Sequence, residues 1–297
     1  MRSLLFIPAD SAAATRAAAS AADAVAIDIT AVPPAARDAA RATARDLIAR
    51  LATAGKSAWV CIASTYSLLA RDDVRALVCR ELTGMIVPFC DRPEQLLYLD
   101  ALLRDAEPAA NVAPGAVRLI AGIGSAAGVL RAAEIAKGSP RLAALLLDGE
   151  ALAADLAIPD SANEIDLAYP RAHLAIAARA AGIIALDTPY PGEDEAGLLH
   201  DAGAARARGL AGKAIRMPEH AAPINHVFSP EPAALARAQE AVAAYEQATK
   251  DGLGAAALDG ALIDAPAAER ARALLARATP QRRQRRTAPR RGRSVST

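Results

Sequence analysis

Eight short apolar runs, the alanine-rich stretches between them and a scarcity of aromatic side chains predict an α/β chain. The expected form is a (β/α)8 TIM barrel with a C-terminal helical extension. Strand-like runs alternating with helix-length segments are the pattern of repeated βα units and a parallel sheet. Hydrophobic residues make up 53% of the chain and aromatics 3%, which favours a core of small and branched side chains over a loop-rich scaffold. A barrel of this kind takes about 250 residues, so 297 residues suit one barrel with something appended.

The runs are, in order, Leu4–Ile7, Ala24–Ile29, Ala58–Ile62, Gly84–Val87, Val117–Ala121, Ala143–Leu147, Gly182–Leu186 and Gly212–Ile215. Many stop at Pro8, Asp28, Pro88, Gly122, Asp148 or Asp187, residue types that suit turns. Ala35–Ala54 and Arg171–Ala181 have the length and Ala/Leu/Arg content of helices. A parallel array must be covered on its outer face, and eight units can close on themselves with the helices outside. Past the eighth run, Pro232–Thr249 reads as a helix, Asp251–Gly254 as a turn and Ala267–Ala278 as a last helix. The expected organisation is a barrel over residues 1–230, a helical extension over 231–279 and a basic, disordered tail over 280–297. From residue 281 onward there are seven arginines and no acid, so the net +1 of the whole chain leaves −6 for the rest.

Several classes are excluded. Cys61, Cys79 and Cys90 are too few and scattered for a disulfide framework or a zinc site, which fits a reducing compartment. The opening MRSLLFIPAD carries too short an apolar run for a signal peptide, and no stretch approaches the ~18 apolar residues of a membrane span. The expectation is a soluble, cytoplasmic protein without membrane association. Gly122, Gly124 and Gly128 follow a strand at the wrong spacing for a dinucleotide fingerprint. The tail from Arg282 to Arg293 reads either as a solvated appendage or as a weak, salt-dependent contact for nucleic acid, without aromatics for base stacking.

Seven segments, in register, resemble the citrate lyase β subunit and its CoA-ester lyase relatives. They are RSLLFIPAD (2–10), AADAVAIDITAVPPAARDAAR (21–41), SPRLAALLLDGEALAADL (139–156), AARAAGIIALDTPYPGEDEAGL (177–198), GLAGKAIRMP (209–218), INHVFSPEP (224–232) and ALDGALIDAP (257–266). The resemblance implies a lyase acting on CoA thioesters of dicarboxylic acids. Mg²⁺, held by one Glu, one Asp and substrate oxygens, polarises a carbonyl so that the adjacent C–C bond breaks. It also implies an arginine on the third strand that grips the substrate carboxylate as a fork. A homo-oligomer of trimer type is implied as well, in which the extension carrying Asp264 is shared between subunits.

At the positions that should carry this chemistry the chain departs from the family. The Leu-Glu-Asp after the second strand falls on Ile29, Thr30 and Ala31, and the Arg-Val-Asn of the third on Cys61, Ile62 and Ala63. The lysine after the fourth strand falls on Phe89, and the two metal-binding acids on Gly124 and Ala151. A His-Pro later in the family becomes Met217–Pro218. Together these changes remove both metal ligands and the fork, so no metal ligand is assigned and ordinary Mg²⁺-dependent activity is expected to be weakened or lost. The alternative is a non-catalytic barrel that binds an acyl-CoA or partners an active relative.

Acids remain near the expected catalytic rim, the C-terminal ends of the strands: Asp28, Asp148, Glu150, Asp187 and the run Glu193–Asp194–Glu195. Asp148 and Glu150 read either as substrate-binding groups of a rebuilt site or as helix caps and solvated charge. By resemblance Asp264 is a general acid reaching a neighbouring subunit's site; by local pattern it caps the last helix. Cys61 reads as a reactive thiol or a buried inert one. His173, His200, His220 and His226 share no metal spacing.

Overall fold

The computed structural model describes residues 1–158 and 166–278; the basic tail expected from residue 280 lies outside them. Eight strands, β1 (Ser3–Pro8), β2 (Ala24–Asp28), β3 (Ser57–Cys61), β4 (Leu82–Val87), β5 (Arg118–Ile123), β6 (Leu142–Leu147), β7 (Ile184–Asp187) and β8 (Gly212–Ile215), pair in sequence order into a closed barrel. β8 returns to β1 in parallel, with Ser3 opposite Lys213 and Leu5 opposite Ile215. All eight predicted runs are strands, displaced at their ends by no more than two residues.

Strand parity sorts the side chains. Leu4, Ala26, Trp59, Cys61, Leu146 and Ala214 belong to the cluster inside the barrel. Their neighbours Leu5, Val25, Val60, Leu145 and Ile215 belong to the larger cluster beneath the helices. This is the period-two alternation of a sheet buried on both faces. Ala24, Ala26, Ala144 and Ala214 are small inward positions, and the lumen accommodates Trp59, the one tryptophan, whose Nε1 is buried and has no partner among the described residues. Gly84 makes the room: a Cβ there would lie 2.4 Å from the indole and 2.4 Å from the Arg118 carbonyl. Gly84→Ala is therefore expected to lower stability by roughly 1–3 kcal/mol, as overpacking does, which urea unfolding would measure.

Three buried ion networks tie the helices to the barrel. Asp73, on the helix Leu69–Leu77, accepts from Arg37 and Arg41 of the helix Arg37–Thr53 and from the Ala63 N–H. Arg37 also donates to the Ile29 carbonyl at 2.5 Å, so the segments following β2 and β3 are held together. At the β6 start, Arg141 pairs with Asp100 and with Glu107, whose carboxylate also accepts from Gly115 and Val117 N–H groups. Across β7 and β8, Asp187 takes Arg171 at 2.9 Å and Lys213 at 2.6 Å, and Asp201 takes both cations again at 2.5 Å.

From Ser229 the chain forms a second compact unit. The helices Pro232–Lys250 and Ala265–Ala278 pack together, and between them β9 (Ala256–Leu258) and β10 (Ala261–Ile263) make an antiparallel hairpin. Asp259 and Gly260 form its two-residue turn with φ of +49° and +76°, the Asp-Gly arrangement of a type I′ hairpin. The strands are three residues each, too short to show a periodicity in the sequence. Among the described residues, no helix is long and apolar enough to cross a membrane.

Candidate functional site

The C-terminal mouth of the barrel collects the inward residues at the strand ends. Asp28 ends β2 and Cys61 ends β3 opposite it. Asp148 follows β6, its backbone N–H donating to the Ile123 carbonyl at 2.8 Å. Because Leu146 is inside the barrel, parity directs Asp148 inward as well. Its carboxylate accepts from the Ala151 N–H at 3.1 Å and caps the helix Gly149–Asp155. Burial pushes the Asp148 carboxyl above the ordinary carboxylate range, with the negative charges of Glu150 and Asp28 acting in the same direction; the Ala151 N–H and Arg216 oppose them.

Glu150 and Arg216 meet across this mouth. Arg216 donates to both Glu150 oxygens, at 2.7 and 2.5 Å. Arg216 lies one residue past β8, and since Ala214 is inside the barrel and Ile215 outside it, parity carries Arg216 over the mouth. The hydrogen bonds from Arg216 hold the Glu150 carboxyl below its usual range. Arg216 was not among the residues singled out from the sequence. Counting alternate positions on from Ala214 is the signal that finds it.

Other expected rim acids have other roles. Asp187 turns to the outer face, fully buried, where it serves Arg171 and Lys213, so its placement at the rim is corrected. The reason is parity: Leu186 is inside the barrel, so the next residue is outside. Asp194 caps the helix Glu195–Ala207, accepting from Gly197 N–H at 2.7 Å and from the Tyr190 hydroxyl at 2.8 Å. Asp28 accepts from the backbone and hydroxyl of Thr30. Asp264, in the second unit, accepts from the Ala267 N–H at 2.9 Å, the capping contact that its sequence position allows. Phe89 is half exposed after β4 with φ of +51°, an uncommon conformation for a bulky side chain. His173 stacks on Tyr169 with ring centroids 5.5 Å apart.

Cys61 is buried, 6% exposed as a residue. Burial pushes its thiol well above the ordinary value, reinforced by the charges of Asp28 and Asp148. A thiol held protonated in this way is a poor nucleophile.

The two places where the resemblance puts metal ligands come together, but they come together closed. A Cβ added to Gly124 would lie 2.7 Å from the Ala151 Cβ and 3.2 Å from the Asp148 Cβ. Such contacts require the backbone or its neighbours to move. The approach is fixed by bonds between the segments after β5 and β6, from Asp148 N–H to Ile123 and from Ala126 N–H to Asp155. Among the described residues, no group of three or more His, Cys, Asp and Glu side chains is arranged to hold a metal ion. Mg²⁺ takes oxygen ligands, and Gly124 and Ala151, at the two positions where the resemblance puts them, carry none.

Because its buried carboxyl sits above the ordinary range, Asp148 weakens the fold once ionised: the cost is absent below its unfolded pKa and develops as pH rises through the folded one. Asp148→Asn, which keeps a capping side chain, is therefore expected to raise the melting temperature at neutral pH and leave it unchanged near pH ~3. An equal shift at both values would remove ionisation as the cause.

Comparison with known proteins agrees with this fold. Residues 2–218 match the HpcH/HpaI aldolase/citrate lyase family. The citrate lyase subunit beta of Escherichia coli K12 is 32% identical over 208 residues, covering 70% of this chain and 69% of that one. A citrate lyase subunit beta-like protein of Deinococcus radiodurans is 31% identical over 284 residues, covering 93% and 96%. The CitE protein of Mycobacterium tuberculosis, solved with magnesium, acetoacetate and coenzyme A, superposes with a TM-score of 0.68 at 27% identity, covering 93% of this chain and 97% of that one. On its sequence and on its barrel, the chain belongs to the HpcH/HpaI aldolase/citrate lyase family.

Proposed function

We propose that this protein is a citrate lyase β-subunit-like barrel that binds an acyl-CoA at its mouth, with the ordinary Mg²⁺-dependent cleavage of CoA thioesters weakened or lost. The observation that carries this reading is that Gly124 approaches Ala151 so closely that a Cβ at Gly124 would have no room without a shift. Gly124 and Ala151 carry no oxygen ligand where the family's two metal-binding acids belong, and any side chain at Gly124 would place its Cβ 2.7 Å from the Ala151 Cβ. The substitution of Cys61 for the family's arginine fork supports it from the other side of the mouth, since a buried neutral thiol cannot hold a carboxylate. Coenzyme A in the Mycobacterium tuberculosis relative supports the ligand class. A homo-oligomer of trimer type goes with the same reading; the helix cap made by Asp264 can coexist with the general-acid role at a neighbour's site that the resemblance implies.

Incubation with malyl-CoA and Mg²⁺, followed by detection of released acetyl-CoA, tests it. No release beyond that of a sample with chelator is expected. Release that the chelator abolishes would show that the ordinary activity survives.

A further inference from the structure

The three buried ion networks differ in their charge balance. Arg171 and Lys213 share Asp187 and Asp201, a carboxylate for each cation. Arg141 meets two buried carboxylates, Asp100 and Glu107. Between the helices Arg37–Thr53 and Leu69–Leu77 the balance is reversed. Arg37 and Arg41 are both buried and share one buried carboxylate, Asp73. The other acid on Arg41 is Asp38, whose side chain is 95% exposed, so water and salt screen most of its charge. The interior here keeps a positive charge that no buried acid offsets.

That charge faces a cleft of about 550 Å³ between the two helices. Arg41 lines the cleft and has N–H groups to spare. A guanidinium carries five of them. Arg41 gives Nε to Asp73, one Nη1 hydrogen to Asp38 and one Nη2 hydrogen to the Leu69 carbonyl, and the remainder have no partner among the described residues. Arg75, on the facing helix, lines the same cleft, and its side chain makes no hydrogen bond or ion pair among the described residues. The first turn of the helix Arg37–Thr53 also lies along the cleft and has no side-chain cap, so its end of the macrodipole adds partial positive charge. A planar carboxylate fills one guanidinium fork, whereas a phosphate has oxygens enough for two arginines on different helices.

We propose that this cleft binds the phosphate group of a small phosphate monoester, held by Arg41 and Arg75, with the ester's apolar body against Pro34, Leu69 and Ala76. The site goes beyond the acyl-CoA reading and uses none of the residues at the barrel mouth. Asp38 and Asp72, exposed at its rim, oppose the anion and set the affinity. The network beneath it is the one that fixes the segments after β2 and β3, through the Ile29 and Thr30 carbonyls on Arg37 and the Ala63 N–H on Asp73.

The test is calorimetric titration of the full chain with phenyl phosphate and with inorganic phosphate, in chloride at constant ionic strength and above pH ~7, where a phosphate is largely a dianion. Phenyl phosphate is expected to bind, and inorganic phosphate to bind more weakly for want of the apolar contacts. Arg75→Met is expected to weaken phenyl phosphate roughly tenfold, the worth of a charged hydrogen bond. Asp38→Asn is expected to tighten it several-fold, because a neutral side chain competes less for Arg41. Arg179→Met, at an exposed arginine on the helix Ala168–Ala180, is expected to change nothing. Arg75 and Asp38 are exposed, and unchanged melting temperatures would verify that the variants fold. No binding of either probe, an affinity indifferent to Arg75→Met, an equal loss in Arg179→Met, or a loss in Asp38→Asn would overturn the site. Inorganic phosphate binding more tightly than phenyl phosphate would overturn the monoester and leave free phosphate as the ligand.

Discussion

Asp187→Ala is expected to destabilise the barrel by about 3–5 kcal/mol, the cost of breaking a buried ion pair from one side. Asp187 is fully buried, and so is Lys213. The substitution leaves Lys213 and Arg171 with Asp201 as their remaining carboxylate partner. Both cations belong to elements that close the barrel: Lys213 sits on β8, and Arg171 on the helix Ala168–Ala180 that precedes β7. A loss of this size is a large share of the 5–15 kcal/mol that ordinarily holds a domain. The urea midpoint would report it, and a change below about 1 kcal/mol would mean that the network behaves like a surface pair.

Asp73→Ala is expected to cost a similar amount, about 3–5 kcal/mol, and to alter the pH dependence of stability as well. Burial alone would raise the Asp73 carboxyl, but hydrogen bonds from Arg37, the Ala63 N–H and Arg41 outweigh it and hold the carboxyl below its usual range. A carboxyl depressed on folding contributes stability that is present above its unfolded pKa, near ~3.9, and is lost as pH falls through the folded value. Asp100, Glu107 and Asp201 are depressed in the same sense by Arg141, Arg104, Lys213 and Arg171. The wild-type protein should therefore weaken steeply below pH ~4. In Asp73→Ala the difference from wild type should shrink as pH falls through that region. A constant difference at all pH values would show that the Asp73 charge is not what is lost.

The barrel was legible because its strands are short, apolar and stopped by turn residues, and because a parallel sheet covered on both faces needs apolar runs. Leu142–Leu147 and Ala24–Asp28 are of this kind. The buried ion networks were not legible. Arg37, Asp73 and Arg141 lie in or beside helix-like segments where charge reads as a solvated face, and only the tertiary fold brings their partners, 36 and 34 residues apart, into contact. Asp187 was misplaced for a sharper reason: one residue decides whether a side chain faces the lumen or the helices. The same parity, carried past Ala214, locates Arg216, which appears in the sequence only as a charge in GLAGKAIRMP. Gly124 and Ala151 were recognised as missing ligands from the resemblance. That Gly124 leaves no room for a side chain beside Ala151 follows from the hydrogen bonds between the segments after β5 and β6.

Calorimetric titration of the full chain with acetyl-CoA, run with and without Mg²⁺, bears most directly on whether this mouth has left magnesium behind. The expected result is binding whose affinity is the same in both conditions within a factor of about two, which corresponds to well under 1 kcal/mol. An affinity that Mg²⁺ tightens tenfold or more would contradict it, because other carboxylates would then be supplying the ligands that Gly124 and Ala151 lack.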